Sequence, residues 1–180
     1  KIVLKANNPL NLVIMRTKSL GFIGGGRITK ILLRGFRNKD VEFPSIIVHE
    51  TNPAVLKELK KQFPEIQTTD LPSAAASQDV VVLSLHPPVL NEVLLKIKDS
   101  ISSGTVILSL APKISISKIE DSLNTLKITR MIPNASSYIN KGINPICFSP
   151  EFSADEKSLM MDTLKVLGET FEVEESKLES

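Results

Sequence analysis

"SLGFIGGGRITKILLRG", residues 19–35, sets a short apolar run against three successive glycines and then against a stretch of helical periodicity. The run at 20–24 suits a buried strand, and Ile28, Ile31, Leu32 and Phe36 share one face of a helix that opens at about residue 27. Between them, Gly24-x-Gly26-x-x-Thr29 follows a strand and opens a helix, the setting in which a dinucleotide fingerprint has physical meaning. The first glycine permits the tight turn, and Gly25 adds backbone freedom. Gly26 removes a side chain so that a pyrophosphate can approach N–H groups at the helix N-terminus, where Arg27 and Ile28 follow. The third position of such a turn is usually Gly or Ala, so that helix and strand pack closely; Thr29 is larger and weakens the match. A glycine turn without a ligand is the alternative reading of the same residues.

Outward from this turn the pattern repeats. "SIIVHE" (45–50), "DVVVLSL" (79–85), "TVILSLA" (105–111) and "KITRMI" (127–132) read as strands buried on both faces. Helices are expected between them, at 27–36, at 52–63 with Asn52 as N-cap and Pro53 at the first helical position, and in "PPVLNEVLLKIK" and "SISKIEDSL". Strict alternation of strand and helix implies an α/β fold: a doubly wound, Rossmann-type, mostly parallel sheet with helices on both faces. After Pro133 the chain turns polar, with one more strand expected around residues 144–148. Ser153 and Glu156 then form a capping box for a helix that ends at a glycine. A last strand in "TFEVEE" and a polar tail complete the chain.

Length and composition exclude several classes. The 180 residues suit one domain, and 42% hydrophobic with 23% charged residues is ordinary for a globular protein. A net charge of +2 without a basic stripe argues against nucleic acid and against an anionic membrane surface. The single cysteine, Cys147, forms no internal disulfide and reads as a buried, inert thiol. No Cys/His cluster has metal-ligand spacing, so no metal is expected in a reduced, cytoplasmic protein. Residues 1–17, with "KIVLKANNPLNLVI", read as an N-terminal extension, and Met15 as a natural start. No run there is long enough for a signal peptide or a membrane span.

Candidate site residues lie at the carboxyl ends of the expected strands. Glu50 is placed to accept ribose hydroxyls and argues for NAD, while Thr51 and Asn52 are able to donate to a 2′-phosphate; Asn52 reads equally as a helix cap. His86, in "SLHPP", is placed either to contact a cofactor or to donate a proton, or else it only caps a strand end. Lys113 and Arg130 are candidates for a substrate carboxylate. Asn134 is a candidate for the nicotinamide carboxamide or for a loop cap, and Tyr138 reads as a core ring or as a hydroxyl near the cleft. No nucleophilic triad, paired-carboxylate site or phosphate-binding lysine motif is present, which suits hydride chemistry carried by a cofactor.

Four segments in order, "GFIGGGRITKILLRG", "DVVVLSLHPPVLNEVL", "TVILSLAPKISISKIEDSL" and "TRMIPNASSYINKGIN", resemble the N-terminal NAD(P)-binding domain of 1-pyrroline-5-carboxylate reductases. That domain is related to the one in deazaflavin-dependent NADP oxidoreductases. The likeness covers residues 18–175 and implies an oxidoreductase that moves hydride from NADP(H), or NAD(H), to a C=N bond of a small imino acid. It implies a pyrophosphate site at Gly24, Gly25, Gly26, Arg27 and Ile28. Ser84, Leu85, His86 and Pro87 would flank the nicotinamide riboside, Ala111 and Pro112 would stand near the nicotinamide, and Pro133 and Asn134 would shape the substrate side. It implies too that residues 176–180 lead to a helical domain that makes a homo-oligomer. The chain departs from the family where Pro112 and Lys113 replace a small Ala-Gly pair, and where Ala135 and Ser136 replace Thr-Pro. These departures leave a non-catalytic dinucleotide-binding module, or redox sensor, as the alternative.

Overall fold

A computed structural model describes residues 18–179; the N-terminal extension at residues 1–17, with Met15, lies outside the described residues. Its strands are β1 (Leu20–Ile23), β2 (Ile46–His49), β3 (Gln67–Thr69), β4 (Val80–Leu83), β5 (Val106–Ser109), β6 (Ile128–Met131), β7 (Gly142–Phe148) and β8 (Gly168–Glu172). They form one sheet in the order β3-β2-β1-β4-β5-β6-β7-β8. The first six run parallel, β7 is antiparallel to β6, and β8 is parallel to β7. Helices α1 (Arg27–Arg37), α2 (Pro53–Gln62), α3 (Pro72–Ala76), α4 (Pro87–Ile97), α5 (Ile116–Glu120) and α6 (Ala154–Leu164) cover its faces. This is the doubly wound, Rossmann-type arrangement read from the alternation of apolar runs.

The central strands β1 and β4 are buried at every position and carry no polar side chain, because both faces of the sheet are covered there. Phe22, Val80, Val82 and Leu108 point to the side of Leu32, Phe36, Leu59 and Leu164. Their neighbours Ile23, Val81, Leu83 and Ile107 point to the side of Leu90, Leu94, Ile97 and Ile119. The period of two along each strand therefore divides one sheet between two cores. Leu32 and Leu90 are fully buried, so truncating either to alanine costs about 2–5 kcal/mol.

Local signals set the ends of the helices. Asn52 accepts the Ala54 N–H at 2.9 Å and Pro53 opens α2, while Ser153 and Glu156 form the expected reciprocal cap of α6. Two features differ from the sequence reading. A short polar strand, β3, and the five-residue α3 stand between α2 and β4. The last strand spans Gly168–Glu172, earlier than read from the sequence, and the segment at 175–179 packs on the domain, with Leu178 only 3% exposed. Among the described residues no helix is long and apolar enough to cross a membrane, and no cluster of His, Cys, Asp and Glu suits a metal ion.

Candidate functional site

The order of the strands reverses between β1 and β4, and at their carboxyl ends lies a cleft of about 410 Å³. Open α/β sheets bind ligands at such a switch point, because the loops after neighbouring strands diverge there. The cleft is lined by Gly24, Gly26, Arg27 and Ile28, by Glu50, by Ser84, Leu85 and His86, and by Val89, Leu110, Pro112, Ile132 and Pro133.

The two principal glycines of the turn are required for different reasons. Gly24 adopts φ +107, a left-handed conformation, and a Cβ there would lie 2.8 Å from both Leu85 Cδ2 and the Ser84 carbonyl oxygen. The fold itself demands that glycine. Gly26 has an ordinary φ of −71, and a Cβ added to it would meet nothing within 4 Å. It is the N-cap of α1 and has no side chain to offer the first turn, so that turn's N–H groups face open space in the cleft.

Thr29, the larger residue at the third position of the fingerprint, ties the turn. It is fully buried, and its Oγ1 donates to the Gly24 carbonyl oxygen at 2.6 Å. Ser84 Oγ sits 2.8 Å from that same carbonyl and 2.8 Å from Thr29 Oγ1, so its single proton serves one of them at a time. One carbonyl oxygen thus joins the ends of β1 and β4 to the first turn of α1.

Glu50 is held by the backbone around it. Its Oε1 accepts the N–H groups of Thr51 at 2.8 Å and Asn52 at 3.0 Å, and its Oε2 accepts that of Gly25 at 3.1 Å. Burial pushes this carboxyl up, but the N–H groups of Asn52, Gly25 and Thr51 outweigh burial and hold it below the ordinary glutamate value. A fixed anion therefore stands where the second strand meets the cleft.

Several sequence candidates lie elsewhere. Arg130, read as a substrate ligand, is 4% exposed: its Nη1 donates to Glu175 Oε1 at 2.9 Å, and its Nη2 pairs with Glu179. Buried, paired with two carboxylates and outside the cleft lining, Arg130 is not placed to meet a ligand there, which corrects that expectation. Lys113 is exposed outside the cleft lining, and Ala111, 1% exposed, packs behind the wall instead of facing the cleft. Asn134 is exposed and starts the turn Ala135–Ile139, its carbonyl accepting the Ser137 N–H at 3.1 Å. Thr51 and Asn52 are exposed beside the cleft, and Pro87 begins α4 just behind His86. Tyr138 is neither core nor near the cleft: it is 45% exposed beneath the Arg34 guanidinium. Cys147 is buried, and burial first of all pushes its thiol up, as an inert cysteine requires.

Val89, Leu110 and Ile132 are the lining residues that sequence reasoning missed. Their signal was positional: Leu110 and Ile132 are the first residues past β5 and past β6, and Val89 follows His86 by three on α4. Together with Leu85 they give the cleft an apolar lining, suited to a flat, weakly polar ring.

The chain has counterparts among known proteins. A pyrroline-5-carboxylate reductase of Corynebacterium melassecola is 29% identical over 166 residues, covering 90% of this chain and 62% of that protein. The structure of a pyrroline-5-carboxylate reductase from Coxiella burnetii superposes with a TM-score of 0.81 at 25% identity, over 91% of this chain and 62% of that one. The Plasmodium falciparum pyrroline carboxylate reductase solved with NADP bound gives 0.77 at 21% identity, over 89% and 59%. The chain thus spans about three-fifths of the length of these relatives. Residues 19–113, more than half of the chain, match the family model described as NADP oxidoreductase coenzyme F420-dependent, and the chain belongs to that family.

Proposed function

We propose that this chain is the dinucleotide-binding part of an NAD(P)H-dependent oxidoreductase that reduces a C=N bond of a small imino acid, as the names of its reductase relatives suggest. The observation that carries the reading is Gly26. The fold does not need a glycine there, and the space a side chain would take opens onto the N-terminus of α1. A pyrophosphate fits that space: the helix end offers N–H donors and a positive dipole, and Arg27 adds a cation beside it.

Each end of the cleft suits one half of the cofactor. Glu50 would hold the adenosine ribose, Gly26, Arg27 and Ile28 the diphosphate, and the wall of Leu85, Leu110, Pro112 and Ile132 the nicotinamide. When bound, the reduced nicotinamide supplies the hydride. The protein's own residues orient that ring and keep water from it, and His86 is the group on the rim able to give a proton to the substrate nitrogen. The fixed carboxylate of Glu50 favours NADH over NADPH, since a 2′-phosphate would meet a held anion with neither Lys nor Arg at 51 or 52. We assign to the whole protein a cytoplasmic setting and a homo-oligomer built through a helical domain of the kind the relatives' resemblance implies.

A second reading, a dinucleotide-binding module without catalysis, is favoured by one observation: among the described residues, Arg27, Glu50 and His86 are the titratable groups lining the cleft, and of these His86 alone suits proton transfer. Titration of the purified chain with NADPH and with NADH, followed by nicotinamide fluorescence and repeated with Gly26→Asp, tests both. Binding that the aspartate abolishes supports the site, and turnover of a cyclic imine acid then separates enzyme from module. Absence of binding to either nucleotide would defeat both readings.

A further inference from the structure

The segment that follows β8 makes a set of contacts that neither the cofactor reading nor the packing of the core accounts for. Residues 175–179 cross under the loop between β5 and α5 and grip it at two points. Glu179 Oε1 accepts the backbone N–H of Lys113 at 2.7 Å, and Glu175 Oε1 accepts that of Ile116 at 2.8 Å. Both carboxylates are anchored on the same buried guanidinium, that of Arg130. Leu178, between them in sequence, is buried in the core that contains Ala111, Ile114 and Ile116.

Lys113 needs such a grip. Its φ is +59, in the left-handed region that a residue with a Cβ enters only against steric cost. Its neighbour Pro112 lines the cleft after β5, and Glu50 lines it after β2, with β1 and β4 between them in the sheet. A ligand whose diphosphate lies at Gly26 and whose adenosine ribose reaches Glu50 must place its other end toward Pro112. The backbone conformation of Lys113 therefore fixes how far Pro112 projects into the space for the nicotinamide.

We propose that residues 175–179 act as a strap that sets the nicotinamide wall of the cleft, with Glu179 as a positioning residue acting through the backbone of Lys113. The inference rests on the dinucleotide reading above. It assigns a role in ligand placement to two carboxylates and an arginine that touch no ligand themselves.

The test compares Glu179→Ala, Lys113→Gly and the double variant with the unaltered chain. Each is titrated with the reduced dinucleotide it prefers and, separately, with ADP-ribose, which lacks the nicotinamide ring. Glu179→Ala should weaken the dinucleotide about tenfold while leaving ADP-ribose within about twofold, a difference set by one end of the ligand only. Adding Lys113→Gly should restore most of the loss, because glycine holds a positive φ without help from a carboxylate. Equal weakening of both ligands would mean a general loss of structure and would overturn the proposal, as would no weakening of either, or failure of the glycine to rescue. ADP-ribose binding also certifies that each variant is folded. If the unaltered chain binds neither ligand, the dinucleotide reading fails and the strap's role falls with it; if it binds both and the variants match it, the strap alone fails.

Discussion

The Glu50 carboxylate reaches the Gly25 N–H at 3.1 Å, so the acid at the end of β2 is built into the glycine turn at the end of β1. Two loops that the sequence separates by 25 residues form one surface, the one to which the proposed function assigns the adenosine half of a dinucleotide. A carboxylate bonded in this way is held in place before any ligand arrives, and it cannot swing aside for a phosphate without giving up three backbone bonds.

From this comes the first prediction. Glu50→Gln keeps the shape and an acceptor oxygen but removes the charge. The ratio of NADH to NADPH affinity should fall about tenfold, read from paired fluorescence titrations. An unchanged ratio would place the choice of cofactor elsewhere.

Alanine at the two glycines should separate fold from ligand. Gly24→Ala forces a Cβ into a left-handed backbone and against Leu85 and Ser84, so it should cost about 1–2 kcal/mol from conformation alone and lower the melting temperature. Gly26→Ala should melt like the unaltered chain, within about 0.5 kcal/mol, and bind dinucleotide about tenfold more weakly. Thermal melts and titrations on both variants decide the matter.

The Thr29 hydroxyl should be worth about 1 kcal/mol, the net value of a buried hydrogen bond. Thr29→Val keeps the shape and loses the donor, whereas Thr29→Ser keeps the donor and loses a methyl. Urea unfolding should find the valine variant less stable than the serine variant if the clamp on the Gly24 carbonyl matters more than the packing.

Acid should loosen the strap. Burial pushes Glu179 up, but the Lys113 N–H and the Arg130 guanidinium hold it below the ordinary glutamate value. The charged groups facing it are Arg130 from β6, Lys113 from the loop before α5, and Glu175 from its own segment. A carboxyl whose folded value is lowered stabilises the fold above its ordinary value, and that contribution disappears as pH falls through the folded one. Stability followed by urea midpoint should therefore drop below about pH 4.5, the ordinary glutamate value, and Glu179→Gln should flatten part of that drop.

Much of this molecule could be read from its sequence, for physical reasons that also explain the omissions. Gly24 and Gly26 carry backbone requirements, and Val80, Val81, Val82 and Leu83 carry burial, so the β1 turn, the parallel core strands and the cleft were legible. The strand β3, three polar residues at the sheet edge, carries no hydrophobic period, and the five residues of α3 are too few to show one. Nothing local sets the direction of β7, because strand direction follows from the length and course of the connection before it. Arg130 looked available because its partners lie 45 and 49 residues away, and a lone arginine in a strand does not announce a carboxylate so distant. The bond from Thr29 to the Gly24 carbonyl was not legible either, because residue size is read from a sequence and the position of an acceptor five residues back is not.

The oxygen of the Gly24 carbonyl, shared between Thr29 and Ser84, has one more effect. It fastens the loop after β1, the loop after β4 and the start of α1 into a single block, so that this side of the cleft is built before a ligand meets it. The ordering entropy of the site is incurred when the chain folds and not when a ligand arrives. Calorimetry on such a preformed cleft should find the heat-capacity change expected from buried apolar surface alone, without the larger decrement that accompanies a segment folding around its guest.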